Sequence, residues 1–283
     1  MLVNLKEILE IAEANKTAVG MFNATGFDSL QAILSAAEEL NQPVIIAHAE
    51  VHNVYNDVSL VAPSMLAMAR AAKVPVCVHL DHGVSLDMVW RALRLGFTSV
   101  MIDASALPYE ENLKITRDVT SIAHSMGVSV EAELGMMVTG ESGDKISGLS
   151  HDPEYYYTNP DEAKAFCKAT GVDALAIAFG TSHGFYKSAP KLNFDVVRKV
   201  REATGLPLVM HGGSGVSEDG FKESIKNGIR KINYYSYMSG AGYDAAKKVI
   251  ESGSTKYLHD VEYAAMQAMR EDVKCAIKTF SNL

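Results

Sequence analysis

Short, almost uninterrupted apolar runs alternate with longer stretches in which apolar positions recur every three or four residues, from one end of the chain to the other. The runs at 17–24 (TAVGMFNA), 43–49 (PVIIAHA), 75–80 (PVCVHL), 99–104 (SVMIDA), 128–134 (VSVEAEL), 174–180 (ALAIAFG), 207–211 (PLVMH) and 231–235 (KINYY) predict eight strands. The stretches at 28–40, 64–72, 86–95, 109–126, 160–170, 194–204 and 217–227 predict helices between them, with two more after the last strand. Strands and helices in strict alternation predict a parallel sheet with crossover helices. Eight such pairs in 283 residues predict an α/β fold, a (β/α)8 TIM barrel with additional C-terminal helices, forming one domain over 1–283. No repeat, low-complexity tract or linker divides the chain. Its one long polar insertion, 135–159, follows the fifth predicted strand and has the length of a functional loop.

The opening stretch MLVNLKEILEIAEANK carries charges every few residues, so it predicts an amphipathic helix and not a signal peptide; no apolar run reaches membrane-spanning length. Three widely spaced cysteines, Cys77, Cys167 and Cys275, suggest neither a disulfide framework nor a thiolate metal site, and point to the reduced thiols of a cytoplasmic protein. A formal net charge of -8 argues against nucleic acid or an anionic membrane as partner. An anionic small molecule must then be held by a local site.

In such a barrel, chemistry sits at the C-terminal ends of the strands. Of nine histidines, His82 follows the third predicted strand, His183 the sixth, and His211 closes the seventh. Three imidazoles from three strand ends can converge on one divalent cation and leave a coordination position open. Asp81 directly precedes His82, and its carboxylate can exchange a proton with a substrate hydroxyl. The competing role, orienting a ligand through a hydrogen bond, suits His79 better than Asp81. His48 and His52, at the end of the second strand, are candidates for a pocket wall.

The sequence Gly212-Gly213-Ser214-Gly215 offers backbone N–H groups ahead of the helix at 217–227, and the eighth strand runs into Asn233-Tyr234-Tyr235-Ser236. Loops after the last two strands of a barrel are where phosphate most often binds. Gly184 and Lys187 can add to that nest.

Together these segments resemble the class II, zinc-dependent ketose-bisphosphate aldolases, the family of fructose- and tagatose-1,6-bisphosphate aldolases. The resemblance runs through VGMFNATGFDSLQAI, VHLDHG, SVMIDASALPYEENLKIT, SVEAELG, YTNPDEAKAF, GTSHGFYKSAP, PLVMHGGSG and GIRKIN, in the family's order. It implies a lyase in which His82, His183 and His211 bind one Zn2+, Asp81 is the acid/base on the C4 oxygen, and Asn233 assists. It implies that Gly184, Lys187, Gly212, Gly213, Ser214 and Ser236 hold the phosphate of dihydroxyacetone phosphate, with a monovalent cation near that site. Glu133 matches a family carboxylate near the metal, either a ligand or a buried partner of a ligand histidine. Glu141 matches a loop glutamate that handles the proton on the carbon that becomes the carbanion. A small sugar phosphate as partner and a homodimer or homotetramer follow from the same likeness.

Several positions depart from the family pattern. Tyr235 stands where a small or acidic group meets substrate, Ala49 replaces a serine, Ser254-Thr255-Lys256 replaces an Asp-Pro-Arg stretch, and Val138-Thr139 replaces a Gly-Gly pair. These changes fall on the aldehyde half of the substrate, so the aldehyde product is open. Two rivals are a barrel metallohydrolase, disfavoured because the first strand lacks a His-x-His pair, and a sugar-phosphate binder without catalysis, disfavoured by the intact Asp81-His82 pair.

Overall fold

In the computed structural model, which describes residues 1–135, 156–186 and 188–283, eight parallel strands close into a ring. They are β2 (Val19–Asn23), β3 (Val44–Ala49), β4 (Val76–Gly83), β5 (Ser99–Ile102), β6 (Ser129–Leu134), β7 (Ala174–Ile177), β8 (Leu208–Met210) and β9 (Ile229–Asn233). Each pairs with its successor, and β2 with β9 completes the circle. The helices α2 (Phe27–Leu40), α3 (Val58–Ala71), α4 (Leu86–Leu95), α5 (Tyr109–Ser125), α6 (Pro160–Thr170), α7 (Phe194–Thr204) and α8 (Glu218–Asn227) follow the strands in turn. The predicted (β/α)8 barrel is the observed architecture, with α9 (Ser236–Ser252) and α10 (Leu258–Ser281) as the additional C-terminal helices.

Period-two alternation divides the core into two shells. One set of strand residues packs outward under the helices with Phe22, Ile46, Val78 and Leu80. The other set points inward, where Met21, Ile45, Ala47, Cys77, Ala176 and Val209 fill the lower barrel. Below them lies α1 (Leu5–Asn15), whose Leu5, Ile8, Leu9 and Ala12 plug the N-terminal mouth. Each buried leucine or isoleucine of this plug contributes about 1.5–3 kcal/mol of apolar transfer. A capping box starts this plug, Asn4 accepting from the Glu7 N–H while Glu7 accepts from the Asn4 N–H.

Several elements differ from the sequence pattern. The N-terminal segment is not helical throughout, because β1 (Leu2–Val3) first pairs with the start of β4. A 3-10 turn at Glu50–Val54 leads from β3 to α3, and α3 begins at Val58, ahead of Pro63. The Asp57 side chain caps that helix by accepting from the Ser59 N–H, and the proline withdraws only one N–H from the ladder. The strand β4 runs on through Asp81, His82 and Gly83, past the expected end at Leu80.

Candidate active site

Strand β4 places both members of the Asp81-His82 pair at the barrel mouth by breaking its own alternation. Cys77, His79 and Asp81 share the inward face, so His82 in regular strand geometry would point out among the helices. Instead His82 adopts a left-handed backbone, φ 44°, and the pairing of β4 with β5 slips between Leu80 and Gly83. A non-glycine residue in this region costs roughly 1–2 kcal/mol, and such strain collects at functional sites. Glu50 secures the turn beyond it, accepting from the N–H groups of Val84 and Ser85 and from the Ser85 hydroxyl.

The three predicted histidines meet. His82 Nε2 lies 3.1 Å from His183 Nε2, and 3.0 Å from His211 Nδ1. Gly212 makes this meeting sterically allowed: it has φ 64°, and a Cβ there would stand 2.2 Å from the Ser182 carbonyl oxygen. The Tyr186 hydroxyl ties the two loops together, accepting from the Ser182 N–H and donating to the Gly212 carbonyl, both at 2.8 Å.

Carboxylates fix which nitrogen of each ring faces the centre. Asp103 Oδ2 is 2.7 Å from His82 Nδ1, and Glu131 Oε1 is 2.9 Å from His211 Nε2. With those ring N–H groups donated outward, the inward nitrogens of the neutral rings carry lone pairs. At such short range a positive charge must lie between them, either a second proton on His82 or a metal cation. Tetrahedral Zn2+ bonds of about 2.0–2.1 Å would set ligand nitrogens roughly 3.4 Å apart, close to the spacing observed, so the donor set fits a divalent cation.

The surrounding charges favour the same occupant. Burial works against a charge on His82, but Asp81, Asp103 and Glu133 outweigh it and push its pKa up to about 9. Burial, reinforced by His82 and His211, pushes His183 down to about 3. Glu133 is pushed up to about 8 by burial and by Asp103. Its Oε2, buried with no hydrogen-bond partner among the described residues, lies 3.4 Å from His211 Nδ1, the nitrogen that faces the centre. Glu133 therefore faces the same centre as His211 Nδ1, and Glu131 is the carboxylate that meets the opposite nitrogen of that ring. His79 sits a layer below, its Nδ1 2.8 Å from Ser99 Oγ.

Asp81 is held from two sides. Asn23 Nδ2 donates to Oδ2 at 2.9 Å and Asn233 Nδ2 to Oδ1 at 3.1 Å. Burial opposes its ionisation, but His82, His211 and Lys231 hold the carboxyl below its ordinary range. The mouth of the barrel thus sets an ionised aspartate beside three converging imidazoles.

Residues expected to hold phosphate come together after β8 and β9. Gly213 has its N–H committed to the Asn233 carbonyl at 3.0 Å, and Ser214 Oγ accepts from the Tyr235 N–H at 3.1 Å. The helix α9 begins at Ser236 with no side-chain cap among the described residues, which leaves its first-turn amides open near the Ser214 and Ser236 hydroxyls. Gly184, φ 85°, follows His183 in the neighbouring loop. Tyr235 packs its ring 4.8 Å from that of His52, which is buried and close enough to feel the Asp81 charge. His48 points away from the mouth, among the outer shell near Asn53 and Asp57. Glu141 and Lys187 lie outside the described residues.

Sequence reasoning missed Asp103, Glu131, Lys231 and Asn23 as parts of the site. The signal for Asp103 was its place at the end of a strand; for Glu131 and Lys231 it was a charge inside an apolar run.

A (β/α)8 barrel with a three-histidine cluster and an ionised aspartate at its C-terminal mouth is the framework of a metal-assisted barrel enzyme. The family model for class-II fructose-bisphosphate aldolase matches residues 3–282, and the chain belongs to that family, which makes it an aldolase-type lyase. It is 44% identical over 261 residues to the fructose-bisphosphate aldolase of Geobacillus stearothermophilus, covering 90% of this chain and 88% of the relative. It is 39% identical to that of Staphylococcus epidermidis, covering 99% and 97%. The crystal structure of the YdjI aldolase from Escherichia coli K12 superposes with a TM-score of 0.87 at 36% identity, covering 99% of this chain and 97% of that one.

Proposed function

We infer that the protein reversibly cleaves a ketose 1-phosphate or 1,6-bisphosphate to dihydroxyacetone phosphate and an aldehyde. The observation that carries this reading is the convergence of His82, His183 and His211 directly beside Asp81. His82, His183 and His211, with Glu133 at hand, would hold Zn2+, which when bound supplies Lewis acidity toward the ketone oxygen. Asp81 takes the proton of the C4 hydroxyl as the C3–C4 bond breaks; the bond's electron pair moves into the C2 carbonyl and the aldehyde departs. The amides of Asn23 and Asn233 keep the Asp81 carboxylate aimed. The Ser214 and Ser236 hydroxyls and the start of α9 receive the C1 phosphate. A proton returned to C3 completes dihydroxyacetone phosphate, a role for Glu141.

The aldehyde product is open. The His52–Tyr235 pair occupies the rim next to Asp81, which supports a partner other than glyceraldehyde 3-phosphate. Retro-aldol turnover over a panel of ketose 1-phosphates and 1,6-bisphosphates tests both points. Release of dihydroxyacetone phosphate, abolished by a chelator and restored by Zn2+, is expected. No release from any member would sink the assignment, and a best rate with fructose 1,6-bisphosphate would remove the case for a different aldehyde.

A further inference from the structure

A buried ammonium sits beneath the site and reaches both of its halves. Lys231, on β9, is fully buried, as is Glu131 across the barrel on β6. Lys231 Nζ lies 3.0 Å from Glu131 Oε1 and 2.9 Å from Oε2, and donates to Asn233 Oδ1 at 2.8 Å. Asn233 is two residues further along the same strand, so both share the inward face.

An ammonium has three donors and no acceptor. Asn233 must therefore turn its oxygen toward Lys231, and its Nδ2 is left to face Asp81 Oδ1. The ionised Asp81 carboxylate, an acceptor only, selects the Nδ2 end by itself; Lys231 adds the anchor at the oxygen end, so the amide is held from both sides. A buried ion pair of this kind is weak evidence for stability, since apolar replacements of similar volume are often neutral or stabilising. Its connections give it a different task.

We propose that Lys231 is a positioning residue that orients the Asn233 amide and through it the Asp81 carboxylate. This rests on the reading of Asp81 as the acid/base group. Lys231 touches no substrate; its effect passes through Asn233.

A double-mutant cycle tests the route. Lys231→Met should lower kcat by about 30- to 100-fold, the scale of a small misplacement of a catalytic group, with KM and zinc content little changed. In an Asn233→Ala background the same substitution should cost almost nothing further. Because Lys231→Met leaves the buried Glu131 carboxylate without its ammonium, the cycle is repeated in a Glu131→Gln background and read against Glu131→Gln alone, since that substitution also alters the partner of His211. An equal loss of kcat in both Asn233 backgrounds, or a loss that follows zinc content, overturns the proposal. A crystal structure of Glu131→Gln/Lys231→Met gives a readout that needs no substrate: the Asn233 amide should leave Asp81, and an unchanged Asn233–Asp81 bond overturns the inference. Failure of the wild-type protein to cleave any ketose phosphate would instead sink the functional reading.

Discussion

His82 Nδ1 and Asp103 Oδ2 lie 2.7 Å apart, and this contact leaves Nε2 as the nitrogen that faces His183 and His211. Asp103 also accepts from the Ser105 N–H and hydroxyl, so the carboxylate is itself held in place. Burial opposes its charge, yet the hydrogen bond from His82 keeps its pKa below the ordinary carboxylate range. Asp103→Ala should weaken Zn2+ binding by about 10- to 100-fold, the usual cost of losing such a partner. Competition against a chromophoric chelator measures this, and an unchanged affinity would mean that His82 is oriented by its backbone alone.

Asp81 offers a complementary outcome. Its side chain contacts Asn23 and Asn233, and it is not among the three converging nitrogens. Asp81→Ala should therefore leave zinc stoichiometry intact while turnover falls by roughly 10²- to 10⁴-fold, the range for removing a general acid/base. Parallel loss of metal and activity would identify Asp81 as part of the cation site.

The barrel was legible because eight apolar runs and the helices between them recur in one rhythm, and burial on both strand faces leaves few alternatives. The 3-10 turn at Glu50–Val54 and the early start of α3 were not, because Pro63 signals a helix boundary while the cap that matters is Asp57, six residues before it. The three histidines were legible from their places at strand ends. Their carboxylate partners were not: whether Glu131 or Glu133 meets His211 depends on depth within the barrel, and two residues of equal parity look alike in sequence. Nor does alternation foretell that Asp81 and His82 face the same way, since that needs a left-handed backbone at His82.

Gly212 is the steric condition for the His183 and His211 loops to approach. Gly212→Ala would place a methyl group 2.2 Å from the Ser182 carbonyl oxygen, at a positive φ. Destabilisation of roughly 2 kcal/mol or more is expected, read as a fall in the midpoint of urea unfolding. Metal affinity should fall with it, because Ser182 adjoins His183. A variant with native stability would show that the two loops separate freely.

His48 predicts a pH dependence away from the three-histidine cluster. Burial, reinforced by His52, lowers its pKa to about 4. The unfolded chain, with an ordinary histidine, binds more protons than the native one between pH 6.5 and 4, so stability is lost as pH falls through that window. The contribution of His48 between pH 7 and pH 5 is up to about 2 kcal/mol. His48→Leu should therefore lose less stability than the wild type on acidification from pH 7 to pH 5, measured by urea titration at each pH. Equal losses would mean that His48 is protonated in the native state.

The cysteines should separate by reactivity. Cys77 lies inside the lower barrel and Cys167 on the buried face of α6, and burial pushes each thiol up to about 12. Neither forms the thiolate that attacks a disulfide reagent at neutral pH. Cys275, on α10, is exposed. An aromatic disulfide reagent should therefore release one equivalent of chromophore promptly from the native chain and the remaining two only on unfolding, from three cysteines in all. Prompt release of more than one would show that the barrel opens on the time scale of the reaction, and none at all would place Cys275 beneath a second copy of the chain.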